Sequence, residues 1–450
     1  MYGQKDMREF VTMQSLGMRQ LFGYGVGDLG INLYFIATMT YLLYFYTDVY
    51  GLSPAAAGGV FLVARIVDAL TDPIMGLLAE RTKSRLGRYR PYIYYGAIPL
   101  ALAAILTFTI PVFDELGKVI WAYLTYILFS LAYTIVAIPY AALTSVLTLD
   151  HHERTRLSSV RIGCAFVGGY IISVCMLPLV NLFETEAQGF QAAMIFFAII
   201  ATGFLWVTKQ STDERSFLLV HRKLPVSDSF KAVAMNPPLL IVILIFTCGM
   251  LSFTIRQSVT LYYLKYNVGR EDLVPEYFAI TMPIMILTIF FIPKLTLLVG
   301  KAGGIVIGAL ITILGSIGLY LTPYDNVVGI MVFSCITAMG GTPIAVLGWA
   351  MIPDTVEYAQ SKLGVRAEGA IFSTASFFQK LAKAIGGAGV AAVLAIFGYV
   401  ANMDQHDDVL NAIHGMLTLG PVVIMIIMIV AAIFYPLNQR VHNDLVNSLR

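Results

Sequence analysis

Apolar residues run in long blocks along this chain, each broken by a short polar or Gly/Pro-rich stretch. Strict alternation, the mark of a half-buried strand, is nowhere sustained, so the blocks read as helices. Twelve stand out, covering residues 20–48, 54–80, 92–112, 118–148, 158–181, 189–208, 238–266, 275–299, 303–323, 326–352, 369–400 and 412–435. A bilayer crossing takes about 20 apolar residues in helix, and these blocks reach that length. Several exceed it, which predicts tilt or extension past the membrane. The expected fold is an all-α membrane protein of twelve transmembrane helices.

The longest polar stretch lies near the middle, KQSTDERSFLLVHRKLPVSDSFKAVAMNPP. It divides the chain into a six-helix bundle over residues 1–208, a central cytoplasmic loop over 209–237, and a second six-helix bundle with a short tail over 238–450. Lys and Arg set the orientation, because cytoplasmic loops carry the basic excess. With both termini cytoplasmic, the inner segments hold 21 of the 29 basic residues and the outer loops hold only Lys118, Lys265 and Arg270. Two six-helix bundles around a central pathway are an architecture of transporters that alternate access to a midplane site.

Composition agrees. The chain is 58% hydrophobic and 12% charged, with mean hydropathy +0.78, whereas a soluble domain carries about 25% charged residues. A soluble enzyme, a disulfide scaffold and a disordered chain are excluded. The net charge of +2 gives no sign of nucleic-acid binding. Cys164, Cys175, Cys248 and Cys335 lie in apolar segments without metal-ligand spacing and read as small fillers. No removable signal peptide is expected in the opening residues.

Ionisable residues at bilayer depth cost about 2.5–3.5 kcal/mol each on insertion scales, so each needs a partner, water or a function. The densest group is FLVARIVDALTDPIMG in the second block. Arg65, Asp68 and Asp72 recur at i, i+3 and i+7, on one helix face, with Thr71 adjacent. Two carboxylates one turn apart can hold a small hard cation such as Na+, or share a proton. A clasp in which Arg65 simply neutralises Asp68 is the plainer alternative. The other basic residues within the blocks are Arg161, Arg256, Lys380 and Lys383. The six histidines (His151, His152, His221, His406, His414 and His442) fall in loops or at helix ends, so proton coupling is expected of Asp68 and Asp72. Neither a nucleotide-binding loop nor a hydrolytic triad is visible, which points to an ion gradient as energy source and argues against an enzyme. A lipid-moving facilitator on the same scaffold is the runner-up.

YGVGDLG at 24–30, YFYTDVYGL at 44–52, LVARIVDALTDPIMG at 62–76, SRLGRYRPY at 84–92, PDTVEYAQSKLGVRAEG at 353–369 and FFQKLAKAIGGAG at 377–389 resemble the glycoside–pentoside–hexuronide:cation symporters, a family within the major facilitator superfamily that includes the melibiose and glucuronide permeases. The resemblance implies the major facilitator fold, a bacterial inner-membrane location, and symport of a sugar with a cation. It assigns the cation to Asp68 and Asp72, with a threonine of the fourth helix at Thr134. Sodium-using members often carry asparagine where Thr71 stands, so Na+ and H+ both remain open as coupling ions.

Where melibiose-type members place sugar-binding acids in helices one and four, this chain has Asn32 and Ala137. Arg161 and Lys380 match basic positions that the family uses near the sugar. Arg256, beside Gln257 in LSFTIRQSV, adds a further cation. A guanidinium grips carboxylate or sulfonate in a two-pronged bond, so the expected substrate is an anionic sugar, a hexuronide or a sulfonated one, rather than a neutral glycoside or pentoside. Trp349 occupies a helix-ten position near the family's central pathway, where an indole face can stack on a sugar ring. Glu80 and Arg81 after the second helix, and Asp354, Glu357, Lys362, Arg366 and Glu368 in a loop after the tenth, are expected to form inner-gate salt bridges, the latter group with Arg154 and Arg156. The protein is expected to act as a monomer in the lipid bilayer, with a small-molecule sugar and a coupling cation as partners and no cofactor.

Overall fold

The computed structural model describes residues 16–147, 151–214, 231–365 and 368–437, in which helices are joined by short connections and no strand occurs. The chain divides into two compact units, Met1–His221 and Arg222–Arg450.

In the first unit, α1 (Met18–Thr40) breaks at Tyr41 and resumes through Leu42–Tyr44 into a π-helical turn, Phe45–Val49, bent by 49°. Then come α2 (Pro54–Arg81), α3 (Arg90–Thr107), α4 (Glu115–Leu147), α5 (His151–Val180) and α6 (Glu186–Ser211). In the second, α7 (Pro237–Tyr262) ends in a second π turn, Tyr263–Asn267. It is followed by α8 (Val274–Ile289), α9 (Ile292–Leu321), α10 (Val327–Leu363), α11 (Glu368–Ile396), α12 (Asp407–Leu417) and α13 (Leu419–Ile433).

Among the described residues, ten helices (α12 with α13 counted as one) are long and apolar enough to span a membrane, eleven if the bent α1 pair is taken as one. Twelve were expected from the apolar blocks. The remaining block is α3, which has 18 residues and opens on the polar Arg90-Pro91-Tyr92. Helix starts follow local chemistry. The Ser53 hydroxyl accepts from Ala56 N–H ahead of Pro54, and the side chains of Asn236 and Asn326 accept from Leu239 and Gly329 N–H.

Two boundaries differ from expectation. Helix α10 does not stop before Pro353 but continues to Leu363, closing on Gly364 in the left-handed region (φ 68°), so Asp354, Glu357 and Lys362 are helical residues rather than loop residues. Proline inside a membrane helix is tolerated where other groups compensate, and near Pro353 the Lys301 Nζ donates to Ala350 O at 3.0 Å. The break expected after residue 299 is present at Gly300 (φ 74°, ψ 175°), within the span of α9.

In lipid, helices associate through small residues that let backbones approach. The glycines of YGVGDLG do this for α1. A methyl carbon on Gly30 would lie 3.0 Å from Ala201 O of α6, and one on Gly168 of α5 would lie 2.6 Å from Leu29 O. Helix α1 therefore lies tight against α5 and α6, while α2 and α3 each pack against α4. In the second unit α9 packs against α10 and α13, and α7 against α11, α13 and α10.

The segment after α2 is clamped to the end of α6. The Glu214 carboxylate accepts from the backbone N–H groups of Arg88, Tyr89 and Arg90 at 2.7, 2.7 and 3.0 Å, capping α3. In return, Arg90 donates to Lys209 O from Nη2 at 2.7 Å and pairs with Asp213 at 3.2 Å. Replacing Glu214 by Ala strips three charge-assisted hydrogen bonds and is expected to cost about 1–2 kcal/mol, allowing for partial exposure. A thermal midpoint of the purified protein unchanged by Glu214→Ala would show that other contacts hold this corner.

Candidate functional site

Asp68 and Asp72 lie one turn apart on α2. Beside them on α4, Ser130 and Thr134 repeat the same spacing, and the two pairs meet rung for rung. Ser130 Oγ donates to Asp68 Oδ1, and Thr134 Oγ1 donates to Asp72 Oδ1 at 2.9 Å. Arg65 Nη1 donates to Asp68 Oδ2 at 2.7 Å while its Nη2 donates to Tyr126 OH at 3.1 Å. Asp68 is only 4% exposed. Thr71, next to Asp72 in sequence, turns its hydroxyl proton to Val67 O of its own helix at 2.9 Å. The cluster is thus a row of carboxylate and hydroxyl oxygens, with one guanidinium committed to the first acid. Oxygen-only donors suit a hard monovalent cation, and either carboxyl can carry a proton instead.

Neither Ser130 nor Asp28 was among the residues expected at a site. Asp28, in the glycine-rich start of α1, is 8% exposed and accepts from Arg161 Nε of α5 at 3.0 Å. The Arg161 guanidinium carbon stands 5.8 Å from the centre of the Tyr140 ring. Tyr24 and Tyr140 stack at 4.7 Å and bond reciprocally, each hydroxyl donating to the other's carbonyl. Asn32 donates from Nδ2 to Asp28 O at 2.8 Å, one turn back on its own helix. The first unit therefore does carry an acid beside Arg161, displaced one turn from the expected position at Asn32, and it neutralises that arginine.

In the second unit Arg256 sits inside α7. Its Nη2 donates to Tyr277 OH of α8 at 3.3 Å, and its Nη1 is buried without a hydrogen-bond partner. Gln257 is buried next to it in sequence. Trp349 meets Phe246 edge to face at 4.8 Å and is 39% exposed. Lys380 is half-buried on α11. His414 lies at a helix end, as expected, in the last turn of α12, but it is buried, hydrogen-bonded through Nδ1 with Tyr324 OH at 3.0 Å and stacked on Tyr320.

Of the expected gate residues, Asp354 is buried and held by Lys301 Nζ, which lies 2.7 Å from both carboxylate oxygens. Arg156 donates to Met18 Sδ at 3.4 Å. Arg81 is exposed and Glu357 half-buried. Arg366 lies outside the described residues, and so do the side chains of Glu80, Arg154, His151, His152 and Glu368, as well as His221 and His442.

A helical chain with a built cation cluster in one unit and a half-buried intramembrane arginine in the other has the makings of a solute carrier, and comparison with known proteins agrees. The sequence model of the MFS/sugar transport protein family matches residues 23–439, and the chain belongs to that family, the glycoside–pentoside–hexuronide symporters. It is a membrane transporter and not an enzyme. It is 38% identical over 445 residues to the symporter YnaJ of Bacillus subtilis (strain 168), covering 97% of this chain and 96% of that one. It is 35% identical to the isoprimeverose transporter of Lactiplantibacillus pentosus, covering 93% and 88%, and 30% identical to a protein of Escherichia coli (strain K12) named as a sulfoquinovose importer, covering 94% and 92%. Among solved structures, the nucleoside transporter NupG superposes with a TM-score of 0.65 over 92% of this chain and 99% of that one; at 15% identity it shares the fold.

Proposed function

We propose that this protein imports an anionic sugar together with a cation across a bacterial inner membrane, by alternating access, as a monomer with both termini in the cytoplasm. The observation that carries the anionic substrate is Arg256, whose buried Nη1 has no hydrogen-bond partner. A buried, always-charged donor left unsatisfied is costly, and a carboxylate or sulfonate from outside the protein supplies what it lacks. The relative named as a sulfoquinovose importer, a carrier of a sulfonated sugar by that name, supports the same reading. The cation belongs at Asp68, Asp72, Ser130 and Thr134, with Na+ or H+ as coupling ion. Gln257, Trp349, Lys380 and Asn32 are the further candidates for sugar contact, and Lys301–Asp354 is the candidate gate pair.

A second reading, a neutral glycoside, is favoured by one observation. Asp28 cancels the charge of Arg161, so that arginine asks for no anion. The relative named as an isoprimeverose transporter fits this alternative. Uptake into proteoliposomes separates the two. Glucuronate, sulfoquinovose and a neutral methyl galactoside are each offered with an imposed Na+ or H+ gradient. Accumulation of an anionic probe under one gradient is the expected result; accumulation of the galactoside alone would overturn the anionic reading.

A further inference from the structure

Asp28 has no part in the cation cluster, yet it is among the most deeply buried acids of the first unit. Its strongest contact is a single-point bond from Arg161 Nε. A guanidinium has five N–H donors in a fixed fork. Asp28 uses the one at Nε. The Tyr140 ring lies 5.8 Å from the guanidinium carbon and limits how the head group can swing. The Arg161 side chain is nonetheless 35% exposed, so it is not sealed within the helix packing. The tyrosine pair that braces it is locked by its own reciprocal bonds between α1 and α4. Arg161 is thus fixed in direction and cancelled in charge by one residue.

We infer that Asp28 is a positioning residue that sets what Arg161 reads in a substrate. By holding Nε and supplying the counter-charge, it makes the remaining edge of the guanidinium a pair of donors for sugar hydroxyls rather than a seat for the anionic group. Two neighbouring hydroxyls on a sugar ring match that edge, and hydroxyls do not compete with Asp28 for the positive charge. The anionic group is then left to Arg256, and to that extent the inference rests on the reading given above.

Two substitutions separate charge from geometry. Asp28→Asn keeps an acceptor oxygen for Nε but removes the counter-charge; Asp28→Ala removes both. Uptake KM is measured in proteoliposomes for glucuronate, sulfoquinovose and methyl galactoside. In Asp28→Asn, Arg161 becomes an uncancelled cation, and the KM ratio of neutral to anionic probe is expected to rise about tenfold. In Asp28→Ala the fork is no longer aimed, and KM rises for every probe. Asp28→Glu, which keeps the charge, is expected to leave the ratio near that of the wild type, and it serves as the second variant should Asp28→Asn fold poorly. If the wild type takes only one class of probe, Asp28→Asn is expected to shift uptake toward the anionic class.

A ratio within about twofold of the wild type in Asp28→Asn, with normal expression and thermal midpoint, would overturn the inference and leave Asp28 a structural partner of Arg161. Arg256→Gln keeps this outcome apart from the other. If that variant leaves the KM of both anionic probes unmoved, the Arg256 reading fails, while the ratio in Asp28→Asn still decides the role of Asp28.

Discussion

Asp72→Asn is expected to abolish accumulation of the sugar against a gradient while leaving downhill exchange of the sugar measurable. Asp72 and Asp68 face Ser130 and Thr134 one turn at a time, and Arg65 is already committed to Asp68. Neutralising Asp72 removes a charge that a cation would need while keeping the side chain's size and its bond to Thr134. Coupling is a mutual effect, in which each ligand raises the other's affinity by the same factor. The variant should therefore lose stimulation of sugar binding by the cation and, equally, stimulation of cation binding by the sugar. Thr134→Ala removes only one hydroxyl and should weaken the cation by about tenfold, the effect of roughly one hydrogen bond. Gradient-driven accumulation by Asp72→Asn equal to that of the wild type would remove Asp72 from the coupling site.

Arg256→Gln is the second large effect. Bonds from a charged donor contribute about 1.5–3 kcal/mol, so loss of the guanidinium should raise the KM of an anionic sugar about 10- to 100-fold. Lysine at this position restores the charge but not the planar fork, and Arg256→Lys is expected to recover only part of the loss. Tyr277→Phe, which removes the partner of Nη2, should have a smaller effect than either. A structural arginine would behave differently. Its removal would lower the thermal midpoint, whereas removing a buried donor with an unsatisfied Nη1 should leave the midpoint unchanged or higher. A large drop in midpoint with anionic uptake intact would identify Arg256 as structural.

How much of this was legible beforehand depended on whether the signal was local. Asp68, Asp72 and Arg65 announce themselves because charges in an apolar helix are few and their spacing fixes a common face. Ser130 was legible in principle: with Thr134 it repeats the four-residue spacing of the two acids, but a serine in an apolar helix usually bonds its own backbone and attracts no notice. Asp28 was hidden in a glycine motif, and its partner lies 133 residues away, a pairing that no spacing rule encodes. The long apolar blocks were plain from hydrophobicity, whereas the run of α10 through Pro353 to Leu363 was not, because the helix continues past a residue that ordinarily ends one. His414 is buried by Tyr263, Tyr320 and Tyr324, residues drawn from two other parts of the second unit.

The first helix of each unit ends in the same way. Phe45–Val49 and Tyr263–Asn267 both close as π turns, Tyr50 N–H bonding Phe45 O and Val268 N–H bonding Tyr263 O, and each is followed by a left-handed glycine, Gly51 and Gly269. The next bonds match too, Leu52 N–H to Tyr46 O and Arg270 N–H to Leu264 O, both at 2.8 Å. A π turn is an α-helix that has absorbed one extra residue, which shifts the residues beyond it by about 100° around the axis. The same turn thus stands at the end of the first helix of both units on unlike side chains, FYTDV in one and YLKYN in the other, so it is the backbone course and the left-handed glycine that define it, and a side chain at Gly51 or Gly269 would strain either exit alike.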